Sequence, residues 1–142
     1  MADEEVQHVF VYGNLRPDAG GPQRLRLGSS SRGEAAWLLG GRLFCVNSRG
    51  RGASSIRQAA VSLDEPGNAV KGYVVSASDP SDLSSLLHHC DSSEEHQGFD
   101  RDVVEVVTEA GKRVAAFVYH CPQVDRSMPV HGGDWMSHPR NL

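Results

Sequence analysis

Apolar residues in this chain come in short β-branched and aromatic runs separated by glycine and proline, a rhythm that restricts the fold to a small sheet protein. The runs fall at about Val6 to Tyr12, Ala35 to Val46, Ala59 to Leu63, Val70 to Ser76, Val103 to Thr108 and Val114 to Tyr119. Gly40-Gly41 divides the second run into two strand pieces through a bulge or bend, so the sheet must curve strongly. Turn residues predict two hairpins. One joins the third and fourth runs through Asp64 to Asn68, the other the fifth and sixth through Glu109 to Lys112. A single helix is clearly encoded. Asp79 is a good N-cap, Pro80 suits the first helical position, Asp82 suits the first turn, and Leu83, Leu86, Leu87 and Cys90 make an i, i+3, i+4, i+7 stripe ending near Cys90 or Asp91. Pro17 to Arg32 is predicted as either a short helix begun at Pro22 or a flap, and Asn47 to Ser55 as loop. Five to seven strands and one helix predict an α+β fold, a small curved sheet or barrel with a helix packed on it.

The chain has 142 residues, one domain's worth, expected to span 1–142 with 1–5 disordered and a C-terminal tail, 122–142, packed on the sheet. Acidic residues outnumber basic ones, 18 to 14, and the net charge of −4 argues against nucleic acid or an anionic membrane as partner. Cys45, Cys90 and Cys121 are odd in number and lack a C-x-x-C pair, so neither a disulfide framework nor a structural zinc site is predicted. No run is long enough to cross a bilayer and the opening residues are acidic, so a cytoplasmic protein is expected.

The chemistry begins where the first run enters Tyr12-Gly13-Asn14-Leu15-Arg16. A glycine turn after a strand leaves backbone amides without an obvious partner, and successive N–H groups there can converge on an anion or a carbonyl oxygen. Glu94 and Glu95 lie just past the helix C-terminus, where the helix dipole disfavours negative charge. A partly buried carboxylate there has its proton affinity raised toward general acid/base use, whereas an exposed pair is plain solvated surface. Other candidates reduce to structure. His88 and His89 point about 100° apart on a helix and lack metal-ligand spacing. Cys90 belongs to the apolar stripe, Arg49-Gly50-Arg51-Gly52 is two charges in an acidic chain, and Gly28 to Gly33 lacks a phosphate-loop lysine. Tyr119 ends a strand and either packs in the core or presents its hydroxyl to a pocket. Asp134-Trp135 is expected to clamp the sheet.

Together, Phe10 to Arg16, Asp91-Ser92-Ser93-Glu94, Phe99-Asp100-Arg101, Phe117-Val118-Tyr119 and Gly133-Asp134-Trp135 resemble, in order and spacing, the gamma-glutamylcyclotransferase-like family. The likeness is to its gamma-glutamylamine cyclotransferase and plant avirulence-induced branches. It implies a small curved mixed sheet closing into a β-barrel, with one main flanking helix and short helical pieces. It also implies cleavage of a small-molecule γ-glutamyl amide by cyclisation to 5-oxoproline, without metal or cofactor. Carried over residue by residue, the family's substrate turn falls on Tyr12, Gly13, Asn14 and Leu15, and its acid/base on Glu94; Tyr119 is a further candidate for substrate contact. Asn14, Glu95 and Tyr73 depart from the family's usual serine or threonine, glycine and glutamate. Those departures suit a rival in which the chain binds a ligand or partner without turnover, or in which Glu95 is the base.

Overall fold

The first strand, β1 (His8–Val11), is buried on both faces: Phe10 enters one hydrophobic cluster and its neighbours Val9 and Val11 another, the period-2 alternation of a strand. The computed structural model describes residues 6–13, 16, 32–49, 55–76, 80–92 and 99–137. Seven strands are described: β1, β2 (Arg32–Leu39), β3 (Arg42–Arg49), β4 (Ser55–Ser62), β5 (Ala69–Ser76), β6 (Asp100–Thr108) and β7 (Arg113–His120). Five close a barrel in the order β1-β5-β2-β6-β7, shut by a parallel contact of β1 with β7 at Val9↔Phe117. Closure removes the unpaired strand edges of an open sheet. With one parallel seam among antiparallel ladders, the sheet is mixed, and the α+β barrel expected from the sequence is the observed class. The expected helix or flap after Pro17, residues 50–54 of the expected loop and the helix cap Asp79 lie outside the described residues; the ends expected in that loop, Asn47 to Arg49 and Ser55, are instead strand, because the β3–β4 ladder continues to Arg49↔Ser55.

The bend at Gly40 is built as the sequence predicts. Its φ of 81° is a left-handed conformation that glycine adopts without strain. The predicted hairpin between the third and fourth runs is a misreading. β4 pairs with β3 instead, from Arg42↔Ser62 to Arg49↔Ser55, in a separate two-stranded sheet, and β5 pairs with β1 and β2. The Asp64 to Asn68 turn docks on the Gly40 bend, with Gly40 N–H donating to Asn68 O and Glu65 N–H to Gly40 O, both at 2.8 Å. Turn residues reverse the chain, but burial and register choose the strand's partner. The hairpin of β6 and β7 forms as expected.

The helix α1 (Pro80–Ser92) buries Leu86 and Cys90, with Leu83 and Leu87 partly covered, against Val9, Val11, Val75 and Tyr119. Inside the barrel, Phe10, Ala36, Leu38, Val70, Val106, Ala116 and Val118 pack with Trp135, which is 1% exposed. The chain after β7 runs along β3, where Cys45 N–H donates to Met128 O and Val130 N–H to Leu43 O, both at 2.8 Å, before Trp135 enters the core. No described helix is long and apolar enough to cross a membrane.

Candidate active site

β1 leads into the turn that the sequence singles out. Tyr12 is buried, stacks on Phe10 with ring centroids 6.2 Å apart, and donates its hydroxyl to the Tyr119 carbonyl oxygen at 2.5 Å. Arg16 N–H donates to Gly13 O at 3.0 Å and closes the turn. Gly13 has a packing reason to be glycine: a Cβ built on it would stand 2.7 Å from Ala59 Cβ on β4. The two-stranded sheet thus presses directly on the turn.

The Arg16 side chain folds inward and is 2% exposed. Its Nη1 lies 2.7 Å from Asp134 Oδ1, and its guanidinium sits over the Tyr73 ring at 5.2 Å from the centroid. Asp134 also accepts from Met136 N–H at 3.0 Å and from the Ser137 hydroxyl at 3.3 Å. Burial pushes the Asp134 carboxyl up, but the Arg16 guanidinium and the Met136 amide outweigh it and hold the group below the usual carboxylate range. The turn at the barrel's edge is therefore tied to the segment that carries Trp135.

At the C-terminal end of α1, Asp91 opens the D-x-x-E segment. The Tyr119 hydroxyl lies 2.6 Å from Asp91 Oδ1 and 3.3 Å from Leu87 O, sharing its proton between them, and Arg101 Nη1 lies 3.0 Å from Asp91 Oδ2. Burial, then the hydrogen bond to Asp91, push the Tyr119 phenol well above its ordinary value, so it stays a neutral donor. A single residue consequently spans the two motifs. The Tyr119 carbonyl receives Tyr12 and its hydroxyl reaches Asp91, so the glycine turn and the end of α1 share one side of the barrel.

Asn14 and Leu15 of the turn, and Glu94 and Glu95 beyond α1, lie outside the described residues. His88 and His89 are exposed, Cys90 is buried, and among the described residues no group of three His, Cys, Asp or Glu side chains gathers to hold a metal. Sequence reasoning did not assign the partnership of Arg16 with Asp134 or the anchoring role of Asp91. Both residues of the first pair stand inside short motifs quoted for other reasons, and nothing local signals a contact 118 residues apart.

A family model described as gamma-glutamyl cyclotransferase, AIG2-like, matches residues 9–137. No match is found among curated protein sequences. Among solved structures, an Arabidopsis thaliana protein superposes with a TM-score of 0.60 at 22% identity, over 86% of this chain and 73% of its own. YkqA of Bacillus subtilis gives 0.61 at 26% identity, over 93% of this chain but 40% of YkqA. A gamma-glutamyl cyclotransferase gives 0.57 at 26% identity, over 81% of this chain and 66% of that one. With the barrel, the glycine turn and the D-x-x-E anchor in the positions described, and with the family model covering all but the ends, the chain belongs to the gamma-glutamyl cyclotransferase, AIG2-like family.

Proposed function

We propose that this protein converts a γ-glutamyl amide or amine conjugate to 5-oxoproline with release of the amine. The Tyr12 to Leu15 turn binds the glutamyl group and Glu94 acts as general acid/base. The observation that carries this reading is the Tyr12–Tyr119–Asp91 link, which ties the turn to the start of D-x-x-E. Glu94 follows Asp91 by three residues. An anchor that close limits how far its carboxylate can travel from the turn.

The chemistry asks little of the protein beyond placement. The substrate's α-amine is the nucleophile, and its attack on the γ-carbonyl closes a five-membered ring. Freezing the reactive conformer is worth up to about 7–11 kcal/mol in favourable intramolecular systems. Glu94 takes a proton from the α-ammonium, freeing its lone pair, and the new C–N bond forms as the carbonyl π-electrons move to oxygen. Collapse expels the original amide nitrogen, which receives the proton from Glu94 and leaves as a neutral amine, while the ring nitrogen, cationic after the attack, gives up its surplus proton to solvent. Backbone amides at Gly13 and its neighbours hold the α-carboxylate or the oxyanion; in the second role each donor is worth roughly 2.7–4 kcal/mol. Tyr119, neutral and buried, serves by orienting the end of α1.

The test is to incubate purified protein with γ-glutamyl-ε-lysine, γ-glutamyl amino acids and glutathione, and to assay 5-oxoproline. Product from at least one, abolished in Glu94→Gln, is the expected result. No product from any of them, or full activity in Glu94→Gln, removes the mechanism. One observation favours a binding-only rival: Tyr73, where the family often has glutamate, lies under the Arg16 guanidinium. Calorimetric binding of a γ-glutamyl compound without turnover would select that rival.

A further inference from the structure

The two ends of the barrel differ in chemistry. Phe10, Ala36, Val74 and Ala116 fill the interior, but one step farther along their strands the inward positions become His8, Glu34, Ser76 and Val114. β1 places His8 opposite Ser76 of β5, four residues and about 13 Å of extended strand from Tyr12. Lys112 joins this end from the β6–β7 turn, which is held to the barrel by Glu109 N–H donating to Ala35 O at 2.9 Å and closed by Thr108 N–H donating to Lys112 O at 2.9 Å. His8, Glu34, Val74, Ser76, Lys112 and Val114 line a cavity of about 280 Å³. That size is just below the usual range for drug-sized ligands and suits a smaller molecule.

Three polar groups in this mouth have no side-chain partner among the described residues. His8 Nδ1 is buried without a hydrogen-bond partner among the described residues. Leaving such an atom unsatisfied costs roughly 1–3 kcal/mol, so it calls for a reason. Glu34 and Lys112 enter none of the ion pairs among the described residues, although both act on His8 through their charges. Burial and the Lys112 ammonium hold the imidazole below its ordinary proton affinity against the opposing pull of Glu34, which leaves it neutral near pH 7 and able to donate or accept.

We propose that this mouth is a second small-molecule site, at the end of the barrel away from the Tyr12 turn, and that it takes a zwitterionic α-amino acid with a small apolar side chain. Lys112 receives the carboxylate, Glu34 the ammonium and His8 Nδ1 one of the two, while Val74 and Val114 cover the side chain. Each charged contact is of the stronger, charge-assisted kind, so removing either ligand charge weakens binding about tenfold or more.

The probe is L-alanine, compared with N-acetyl-L-alanine and L-alaninamide, each lacking one charge. Binding is followed by the His8 imidazole and the 74–76 and 112–114 backbone signals in NMR titrations of the whole chain. Saturable shifts confined to this end with L-alanine, weakened about tenfold or more with either analogue and in Lys112→Met and Glu34→Gln, are expected. Both substitutions are at exposed positions, and an unchanged spectrum at Tyr12 and Asp91 verifies the fold. No saturable shift at His8, equal response to the three probes, or shifts centred on Gly13 would each overturn the proposal.

Discussion

Replacing Gly13 with alanine sets a methyl group 2.7 Å from Ala59 Cβ, about 1 Å inside ordinary carbon–carbon contact. The backbone at Gly13 does not occupy the left-handed region, so alanine incurs no conformational strain there. The whole penalty should therefore come from overpacking, about 1–3 kcal/mol. Ala59→Gly alone loses a methyl from a strand residue that is 6% exposed and adds backbone freedom, together about 1–2 kcal/mol. In the double variant the clash disappears, so its stability should equal or slightly exceed that of Ala59→Gly, giving a coupling energy of about 2 kcal/mol. Urea denaturation of the four proteins measures this directly. Additive losses, with coupling below about 0.5 kcal/mol, would refute the claim that strand β4 dictates the glycine. The same four proteins separate packing from ligand access. If amides at the turn must be approached closely by substrate, 5-oxoproline formation stays depressed in the double variant after its stability has been restored.

Two further perturbations probe the ties around the turn. Asp134→Asn removes the charge facing the buried Arg16 and should cost about 2–4 kcal/mol, at or below the range for breaking a buried pair because the Asp134 side chain is 22% exposed. Since the folded Asp134 is more acidic than in the unfolded chain, its contribution is present above the unfolded value near pH 4 and fades as pH falls through the folded one. Urea midpoints below pH 4 should therefore converge for wild type and variant, and a constant gap would contradict this. Tyr119→Phe deletes the hydroxyl shared by Asp91 and Leu87 O at a cost of about 1–2 kcal/mol, discounted because Asp91 is 45% exposed. The folded phenol is less acidic than the unfolded one, so its contribution is complete below about pH 10 and is lost as pH rises beyond. Wild type should destabilise in alkali more steeply than Tyr119→Phe, and parallel profiles would remove the assigned role.

The barrel was legible in the sequence because each strand carries its own signal: alternation at β1, the Gly40 bend, and the tight turn between β6 and β7. The leucine stripe of α1 was equally local. Pairing was not. Nothing within Ala59 to Leu63 names β3 rather than β5 as its partner; the β3 register and the docking of the 64–68 turn on Gly40 both depend on residues outside the run. The site divides the same way. Tyr12, Gly13 and D-x-x-E could be named from short motifs, whereas the Ala59 contact with Gly13 and the Arg16–Asp134 pair depend on segments far apart in the chain.

The barrel seam joins the first described strand to the last, and the Arg16–Asp134 pair adds a second tie across nearly the whole chain. Contacts of such long separation delay folding, because loop-closure entropy is lost before they form. During synthesis β1 must therefore wait, unpaired on one side, until β7 has left the ribosome. The Gly13 turn is then among the last parts to take shape, and a nascent chain stopped before Asp134 carries the glycine motif without its tie to the tail.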